Sequence, residues 1–142
     1  MMNEKNQEVA WNDGFRVGNE QVDLQHKKLF ELAGGLINAC IEGKDTAKLR
    51  ETLSFLVNYT IRHFLFEEEL QVKCKYPDYD RHKQLHEGFK QTVGSLVEKF
   101  NNNGSSIELS SDVNKIVVSW LVNHIQQEDK KIGEHLQNAL SK

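Results

Sequence analysis

The sequence predicts an all-α protein, an up-down-up-down antiparallel four-helix bundle preceded by an N-terminal arm. Four long stretches carry apolar residues at spacings of three and four, which is the period of a helix with one buried face. No stretch alternates apolar and polar residues as a half-buried strand does. The only proline, Pro77, lies in a turn-like segment at 75–80, between the second and third stretches. Short connections of this kind favour antiparallel neighbours.

Length and composition predict one domain, which we divide into an arm at 1–20 and a bundle at 21–142. A chain of 142 residues can bury a core without disulfides, so Cys40 and Cys74 are expected to be free thiols. The net charge of −3 and the lack of a basic stripe argue against nucleic acid as a partner. The polar start resembles neither a signal peptide nor a membrane helix, so we expect a cytoplasmic chain without membrane insertion.

The first two predicted helices span roughly 22–41 and 46–72. The apolar stripe of the first helix includes His26. The second helix places His63 and Glu67 on the stripe that its leucines form. These three side chains are therefore expected to face the core.

The third and fourth predicted helices span roughly 80–101 and 111–139. In the third, His82 and His86 lie on the apolar stripe, and an asparagine-rich segment then breaks the pattern. In the fourth, His124 continues a broad apolar face. All three histidines are expected to face the core.

The start of the fourth helix and the arm are predicted from capping and from apolar residues. Ser110 or Ser111 can cap the fourth helix. The arm contains Trp11, Phe15 and Val17, which we expect to pack across the bundle because large apolar side chains favour burial.

The core-facing stripes carry six potential metal ligands, and a further acid follows the last of them in the fourth helix; the seven residues are His26, His63, Glu67, His82, His86, His124 and Asp129. Residues four apart share one face of a helix, so such pairs can converge on one centre. In an antiparallel bundle, the depths of these donors coincide near one end. Buried carboxylates at Glu67 and Asp129 would each cost on the order of several kcal/mol unless a cation compensates them. The sequence therefore predicts a buried metal site.

The ligand set favours two metal ions over one. Five imidazoles and two carboxylates exceed the four ligands of a single zinc ion, and the set contains none of the thiolates typical of structural zinc sites. Two octahedral ions that share bridging carboxylates would use such a set. The Glu-x-x-His motif of ferritin-like dinuclear sites does not occur in the chain, so a histidine-rich class of site is predicted.

Several short sequence motifs and the order of the seven potential ligands resemble those of the hemerythrin family, specifically its single-domain bacterial members. The motifs are Val22-Asp-Leu-Gln-His26-Lys-Lys-Leu, His63-Phe-Leu-Phe-Glu67-Glu and Tyr76-Pro77, and the resemblance runs from Trp11 through the last helix. It implies that His82, His86 and His124 hold one iron and that His26 and His63 hold the other. Glu67, Asp129 and an oxo or hydroxo group from solvent would bridge the two irons.

The same resemblance implies reversible binding of dioxygen at this non-haem diiron centre, at an open position on the second iron. Such a protein carries, stores or delivers dioxygen and is not an enzyme. We expect a monomer whose partners are dioxygen and a protein that receives it. Two alternatives stay open: a diiron redox enzyme acting on dioxygen, peroxide or nitric oxide, and a sensor of oxygen or redox state with a separate signalling partner.

The last ligand pair departs from regular helix geometry. His124 and Asp129 are five residues apart, about 140° around an ideal helix, whereas Glu128 would face His124. Because the resemblance assigns Asp129, we predict a locally widened, π-type turn between 124 and 129.

Residues around the ligands are assigned structural roles. Glu68 and Glu69 belong to a charge run and are expected to be solvated, and His135 is expected at the surface near a helix C-terminus. Asp23 is interpreted as a helix N-terminal charge, with a hydrogen bond to a ligand as the alternative. The segment 70–75 departs from the methionine-bearing sequence of the family.

Overall fold

The structure, a computed structural model, describes residues 10–140 of the chain and is helical with no strand in that range. A short 3₁₀ turn precedes four long helices, and consecutive helices pack against each other in an up-down-up-down bundle. The first three helices are α1 (Glu20–Ile41), α2 (Thr46–Lys73) and α3 (Tyr79–Asn103). The fourth, α4, covers 106–140 and also packs against α1, which closes the bundle. The predicted fold class is confirmed.

Helix α4 is not a regular α-helix throughout. Two π-helical turns interrupt it, and the segments in chain order are α-helical Ser106–Asp112, π-helical Val113–Val118, α-helical Ser119–His124, π-helical Ile125–Asp129 and α-helical Lys130–Leu140. A π turn holds one more residue than the α turn it replaces, so it changes which side chains face the core.

Capping side chains define where the helices begin. Asn19 accepts a hydrogen bond from the backbone N–H of Val22 at the start of α1, and Asp45 caps α2 in the same way. Each such cap stabilises a helix by about 1 kcal/mol. At α4 the cap is Ser105, which follows Gly104 in a left-handed conformation. The predicted start at 111, with Ser110 or Ser111 as cap, is therefore wrong: the break after α3 is shorter than expected.

A continuous apolar core runs along the bundle between the four helices. Leu29 and Leu36 of α1, Leu49 of α2 and Val113 of α4 are at most 1 % exposed. Burial of each such side chain contributes roughly 1.5–3 kcal/mol to folding. The helices that carry the predicted ligands are thus fixed relative to one another by packing.

Within the described residues, the predicted arm lies across the bundle. Phe15 is buried and stacks on Phe30 of α1 with 5.3 Å between ring centroids. The Asp23 carboxylate accepts hydrogen bonds from the backbone N–H groups of Val17, at 2.7 Å, and Gly18, at 3.2 Å. Asp23 therefore holds the arm rather than serving only as a helix N-terminal charge. Residues 1–9 of the predicted arm lie outside the described residues.

The arm also packs closely against α4 at Gly133. The backbone carbonyl of Val17 lies so near Gly133 that any Cβ atom at this position would overlap with it. Only a glycine leaves room for this contact between the arm and the last helix.

None of the helices within residues 10–140 combines the length and the apolar composition that crossing a bilayer requires.

Candidate metal centre

The structure brings all seven predicted ligand residues together in one buried layer of the bundle. They come from all four helices: His26 from α1, His63 and Glu67 from α2, His82 and His86 from α3, and His124 and Asp129 from α4. Each is at most 6 % exposed. The layer lies where the late part of α2 meets the early part of α3, so the antiparallel arrangement accounts for the convergence.

One half of the cluster contains the two histidines from α1 and α2. The Nε2 atom of His26 lies 3.3 Å from Oε2 of Glu67 and 3.0 Å from Oδ2 of Asp129. The Nε2 atom of His63 lies 3.0 Å from the same Glu67 oxygen. Two imidazole nitrogens and one oxygen from each carboxylate thus surround a common volume.

The other half contains the three histidines from α3 and α4. His82 and His86 place Nε2 at 3.5 Å and 3.3 Å from Oε1 of Glu67. His82 and His124 each place Nε2 at 3.1 Å from Oδ1 of Asp129. Three imidazole nitrogens therefore share a volume with the second oxygen of each carboxylate.

Both carboxylates are divided between the two halves. Glu67 and Asp129 each direct one oxygen towards the two-histidine group and the other towards the three-histidine group. Within each group, the candidate ligand atoms lie within 4.8 Å of one another. A carboxylate with its two oxygens in adjacent donor groups can bridge two cations, so the cluster has the donor arrangement of a dinuclear site.

Several donor atoms of the cluster lack hydrogen-bond partners among the surrounding residues that the structure describes. Glu67 Oε1, His86 Nε2 and Asp129 Oδ1 are buried and form no hydrogen bond of acceptable geometry within residues 10–140. The Nε2 atoms of His82 and His124 lie only 3.0 Å apart. Buried polar atoms of proteins normally have partners, and a cation would satisfy several lone pairs at once. The residues present therefore fit a metal centre.

In the metal-free cluster, the carboxylates hold protons on nearby imidazoles. Burial lowers the pKa of His26, but hydrogen bonds and charges from Asp129 and Glu67 outweigh it and raise the pKa to about 9. The pKa of His82 rises to about 9 for the same reasons. Burial raises the pKa of Glu67 and Asp129, yet the facing histidines overcome it and hold both below their usual range. Metal binding would displace these protons.

Two histidines of the cluster are oriented by hydrogen bonds on the side of the ring away from the other donors. The Nδ1–H of His63 donates to Oε1 of Gln25 at 2.6 Å, and that of His86 donates to Oε2 of Glu68 at 2.9 Å. Such bonds fix the tautomer and direct Nε2 into the cluster. Glu68 is 7 % exposed, so the prediction that it is solvated is wrong, whereas Glu69 is exposed as predicted.

The predicted widened turn is present and turns Asp129 into the cluster. The N–H of Lys130 reaches the carbonyl of Ile125, five residues earlier, as in a π-helix. Asp129 is 1 % exposed, whereas Glu128 points away and pairs with Arg81 of α3. On a regular α-helix, Glu128 rather than Asp129 would lie on the same face as His124 and point into the cluster.

Aromatic side chains cover the three-histidine half of the cluster. Phe64 stacks on the His86 ring with 3.8 Å between centroids, and Trp120 stacks on His124 with 4.1 Å. Phe89 in turn stacks on Trp120. These rings exclude water from the ligands and restrict the orientation of the imidazoles.

The sixth histidine lies outside the cluster. His135 is half-buried in α4, and its Nε2–H donates to the backbone carbonyl of Cys74 at 2.8 Å. It also contacts the Tyr76 ring edge-on, with 5.5 Å between centroids. His135 therefore anchors the loop between α2 and α3, a contact that the expectation of a surface position missed.

Comparison with known proteins agrees with this geometry. The family model of the hemerythrin HHE cation binding domain matches residues 17–136. Bacteriohemerythrin from Pseudomonas paraeruginosa is 29 % identical over 133 residues, which cover 94 % of this chain and 84 % of that protein. A hemerythrin-like protein from Naegleria gruberi is 33 % identical, over 85 % of this chain and 87 % of its own length.

Solved structures give the same result for the fold. The crystal structure of wild-type hemerythrin superimposes with a TM-score of 0.80 at 29 % identity, covering 89 % of this chain and 96 % of that one. A mutant of hemerythrin gives the same TM-score at 28 % identity. With the family model spanning most of the sequence, the chain belongs to the hemerythrin family.

Proposed function

We propose that this protein binds dioxygen reversibly at a non-haem diiron centre and acts as a carrier, store or delivery protein rather than as an enzyme. The division of each carboxylate between a three-histidine and a two-histidine group carries the proposal. In it, His82, His86 and His124 would hold one iron, His26 and His63 would hold the other, and Glu67 and Asp129 would serve both together with an oxo or hydroxo group from solvent. Because the two-histidine group offers one protein ligand fewer, dioxygen would bind on its side.

The ferrous ions would supply the electrons that dioxygen binding requires and recover them on release. The side chains contribute a largely imidazole, dry environment for that exchange. Five of the seven protein ligands are imidazoles, which place less negative charge on the irons than a carboxylate-rich set and therefore favour highly oxidised states less. We interpret this balance as suited to carriage rather than to oxidation of a substrate.

Apolar packing supports reversibility. Phe64 and Trp120 stack on His86 and His124, Phe89 stacks on Trp120, and Ile125, which follows His124 in the chain, is fully buried. Such a lining keeps water and its protons away from the centre, which slows irreversible oxidation. The protein would work as a monomer in the cytoplasm, with an arm at 1–20 on a bundle at 21–142, and would pass dioxygen to a protein recipient.

The proposal is tested by loading the chain with ferrous iron under argon and cycling the sample between air and argon. We expect two irons per chain and a visible absorption that develops in air, disappears under argon and returns over repeated cycles. Absorption that persists under argon after one exposure to air would contradict a carrier function and favour a redox enzyme or a sensor. A chain that retains no iron would contradict the metal centre itself.

A matched pair of histidine variants controls for folding. His86→Gln removes a proposed ligand and is expected to lower the iron content below two per chain. His135→Gln removes a histidine that lies outside the cluster, and it is expected to leave the iron content and the reversible absorption unchanged. Circular dichroism of both variants checks that the bundle is retained.

A further inference from the structure

Gln71 is a buried amide without a partner, close to the proposed centre. It lies one turn after Glu67 and two turns after His63, on the same face of α2. Its side chain is 0 % exposed, and neither Oε1 nor Nε2 makes a hydrogen bond within residues 10–140. An amide buried in this way is destabilising unless a partner is supplied.

A second unpaired group lies on the neighbouring helix. His82 is fully buried, and its Nδ1 atom has no hydrogen-bond partner in the described part of the chain. When Nε2 of a neutral imidazole binds a metal ion, the proton must sit on Nδ1. That buried N–H then requires an acceptor, as metal-bound histidines in proteins usually have.

The pairing of α2 with α3 places these two groups opposite each other. Glu68 of α2 accepts the Nδ1–H of His86 of α3. The helices are antiparallel, so one turn forward along α2 corresponds to one turn back along α3. Gln71 lies one turn after Glu68 in α2, and His82 lies one turn before His86 in α3, so Gln71 and His82 are at corresponding positions along the two helices.

Tyr76 contacts both Gln71 and His82. Its backbone N–H donates to the backbone carbonyl of Gln71 at 2.9 Å. Its ring packs edge-on against His82, with 6.4 Å between centroids. Tyr76 thus contacts both the backbone of Gln71 and the ring of His82. Rotation of the Gln71 amide about its side-chain torsions changes the position of Oε1.

We propose that Gln71 is a positioning residue of the metal centre, whose side-chain carbonyl accepts the Nδ1–H of His82 once Nε2 of His82 binds metal. The inference rests on the proposed diiron centre. It assigns to Gln71 and His82 the relationship that Glu68 and His86 already have, with a neutral amide in place of a carboxylate. Loading the centre thereby gives the Nδ1–H of His82 an acceptor and Oε1 of Gln71 a donor at the same time.

The experiment compares the unaltered chain with Gln71→Met and Gln71→Leu. Both variants replace the amide by an apolar side chain of similar size, which cannot accept a hydrogen bond from Nδ1–H of His82. Affinity for ferrous iron is measured under argon by competition with a coloured chelator. We expect it to fall roughly 10- to 100-fold in both variants. The metal-free variants should have an unchanged or higher melting temperature, because an unpaired buried amide has been removed. Gln91→Met, at an exposed position of α3, is the control.

Proton NMR of the diferrous protein supplies an independent measurement. The exchangeable Nδ1–H signals of the metal-bound histidines are shifted far from the other resonances by the paramagnetic irons. One of them should move and exchange faster with water in Gln71→Met, and Gln71→Glu, which retains an acceptor, should restore slow exchange.

The outcomes separate the two proposals. Lower iron affinity together with unchanged or higher stability of the metal-free chain supports the role of Gln71. Unchanged affinity and unchanged Nδ1–H signals would overturn that role and leave the diiron centre standing. A fall in stability of the metal-free chain that alone accounts for the lost affinity would also overturn it, since Gln71 would then be structural. Failure of the unaltered chain to bind iron would overturn both.

Discussion

The Nδ1–H of His86 donates a hydrogen bond to Oε2 of Glu68, 2.9 Å away, across the interface between α2 and α3. On the opposite half of the cluster, His63 makes the equivalent bond to the neutral amide of Gln25. A carboxylate makes an imidazole more electron-rich than an amide does. The two halves of the centre therefore differ in the charge behind the ligands as well as in the number of histidines.

Replacement of Glu68 tests this bond. Glu68→Leu removes the acceptor and is expected to lower metal affinity roughly 10- to 100-fold. Glu68→Gln keeps an acceptor without the charge, so its loss should be smaller. Glu69→Gln changes the exposed neighbour and serves as the control. Chelator competition measures all three, and equal affinities for Glu68→Leu and Glu69→Gln would contradict a role for Glu68.

The π turn predicts opposite results for two adjacent acids in α4. Asp129→Asn weakens a bridging position and is expected to reduce the iron content below two per chain. Glu128→Gln only removes the pairing with Arg81 at the surface, which is worth about 1 kcal/mol or less. It should leave the iron content at two. The iron content of both variants is measured after gel filtration. Loss of iron only in the Glu128 variant would show that Glu128, and not Asp129, is the acid that binds iron.

The stability of the metal-free chain should fall as the pH rises from 6.5 to above 9. The pKa of His26 and of His82 is about 9 in the folded chain and 6.5 in the unfolded one. Below pH 6.5 both states are protonated, so the stabilisation is complete; it is lost as the folded imidazoles give up their protons. Thermal unfolding followed by circular dichroism over this range measures the effect.

Two comparisons sharpen this pH prediction. In His26→Gln the decrease should be smaller, because one of the two titrating groups is gone. In the iron-loaded chain the imidazoles carry no proton on Nε2, so stability should be nearly flat over the same range. A metal-free chain with an equally flat profile would show that the carboxylates do not hold protons on the histidines.

Two glycine substitutions should change stability in opposite directions. Gly133→Ala places a Cβ against the Val17 carbonyl, and we expect it to destabilise the fold by about 1–3 kcal/mol or to displace the arm. Gly35→Ala in α1 meets no atom within 4 Å, and it should stabilise the helix by about 0.5–1 kcal/mol. Urea unfolding curves of both variants test the pair, and equal changes would contradict the close contact.

The bundle and the convergence of six of the seven donors could be predicted from the sequence because both depend on periodicity. Apolar spacing determines which face of each helix is buried, and His26, His63 and His82 lie on that face regardless of details of packing. Short connections then fix the antiparallel order. Asp129 required more than periodicity, since a regular helix would present Glu128, and the resemblance to a known family supplied the choice.

Residues that depend on a single tertiary contact could not be predicted in this way. Glu68 stands in a run of three glutamates, and only the pairing of α2 with α3 distinguishes it from Glu69. Asp23 at the start of α1 has the composition of an ordinary N-terminal charge, yet it binds the backbone of the arm. Ser105 became the cap of α4 because the left-handed Gly104 turns the chain earlier than the polar segment suggests.

The π turn at Ile125–Asp129 also governs the far end of α4. One additional residue rotates the helix that follows by about 100° relative to a regular continuation. In that regular continuation, Ile132 would stand where Gly133 now receives the Val17 carbonyl. The ligand in the cluster and the seat of the arm are thus set by one insertion in the backbone. A chain with this sequence and a regular α4 would therefore lose both features, the carboxylate of Asp129 in the cluster and the contact of the arm at Gly133.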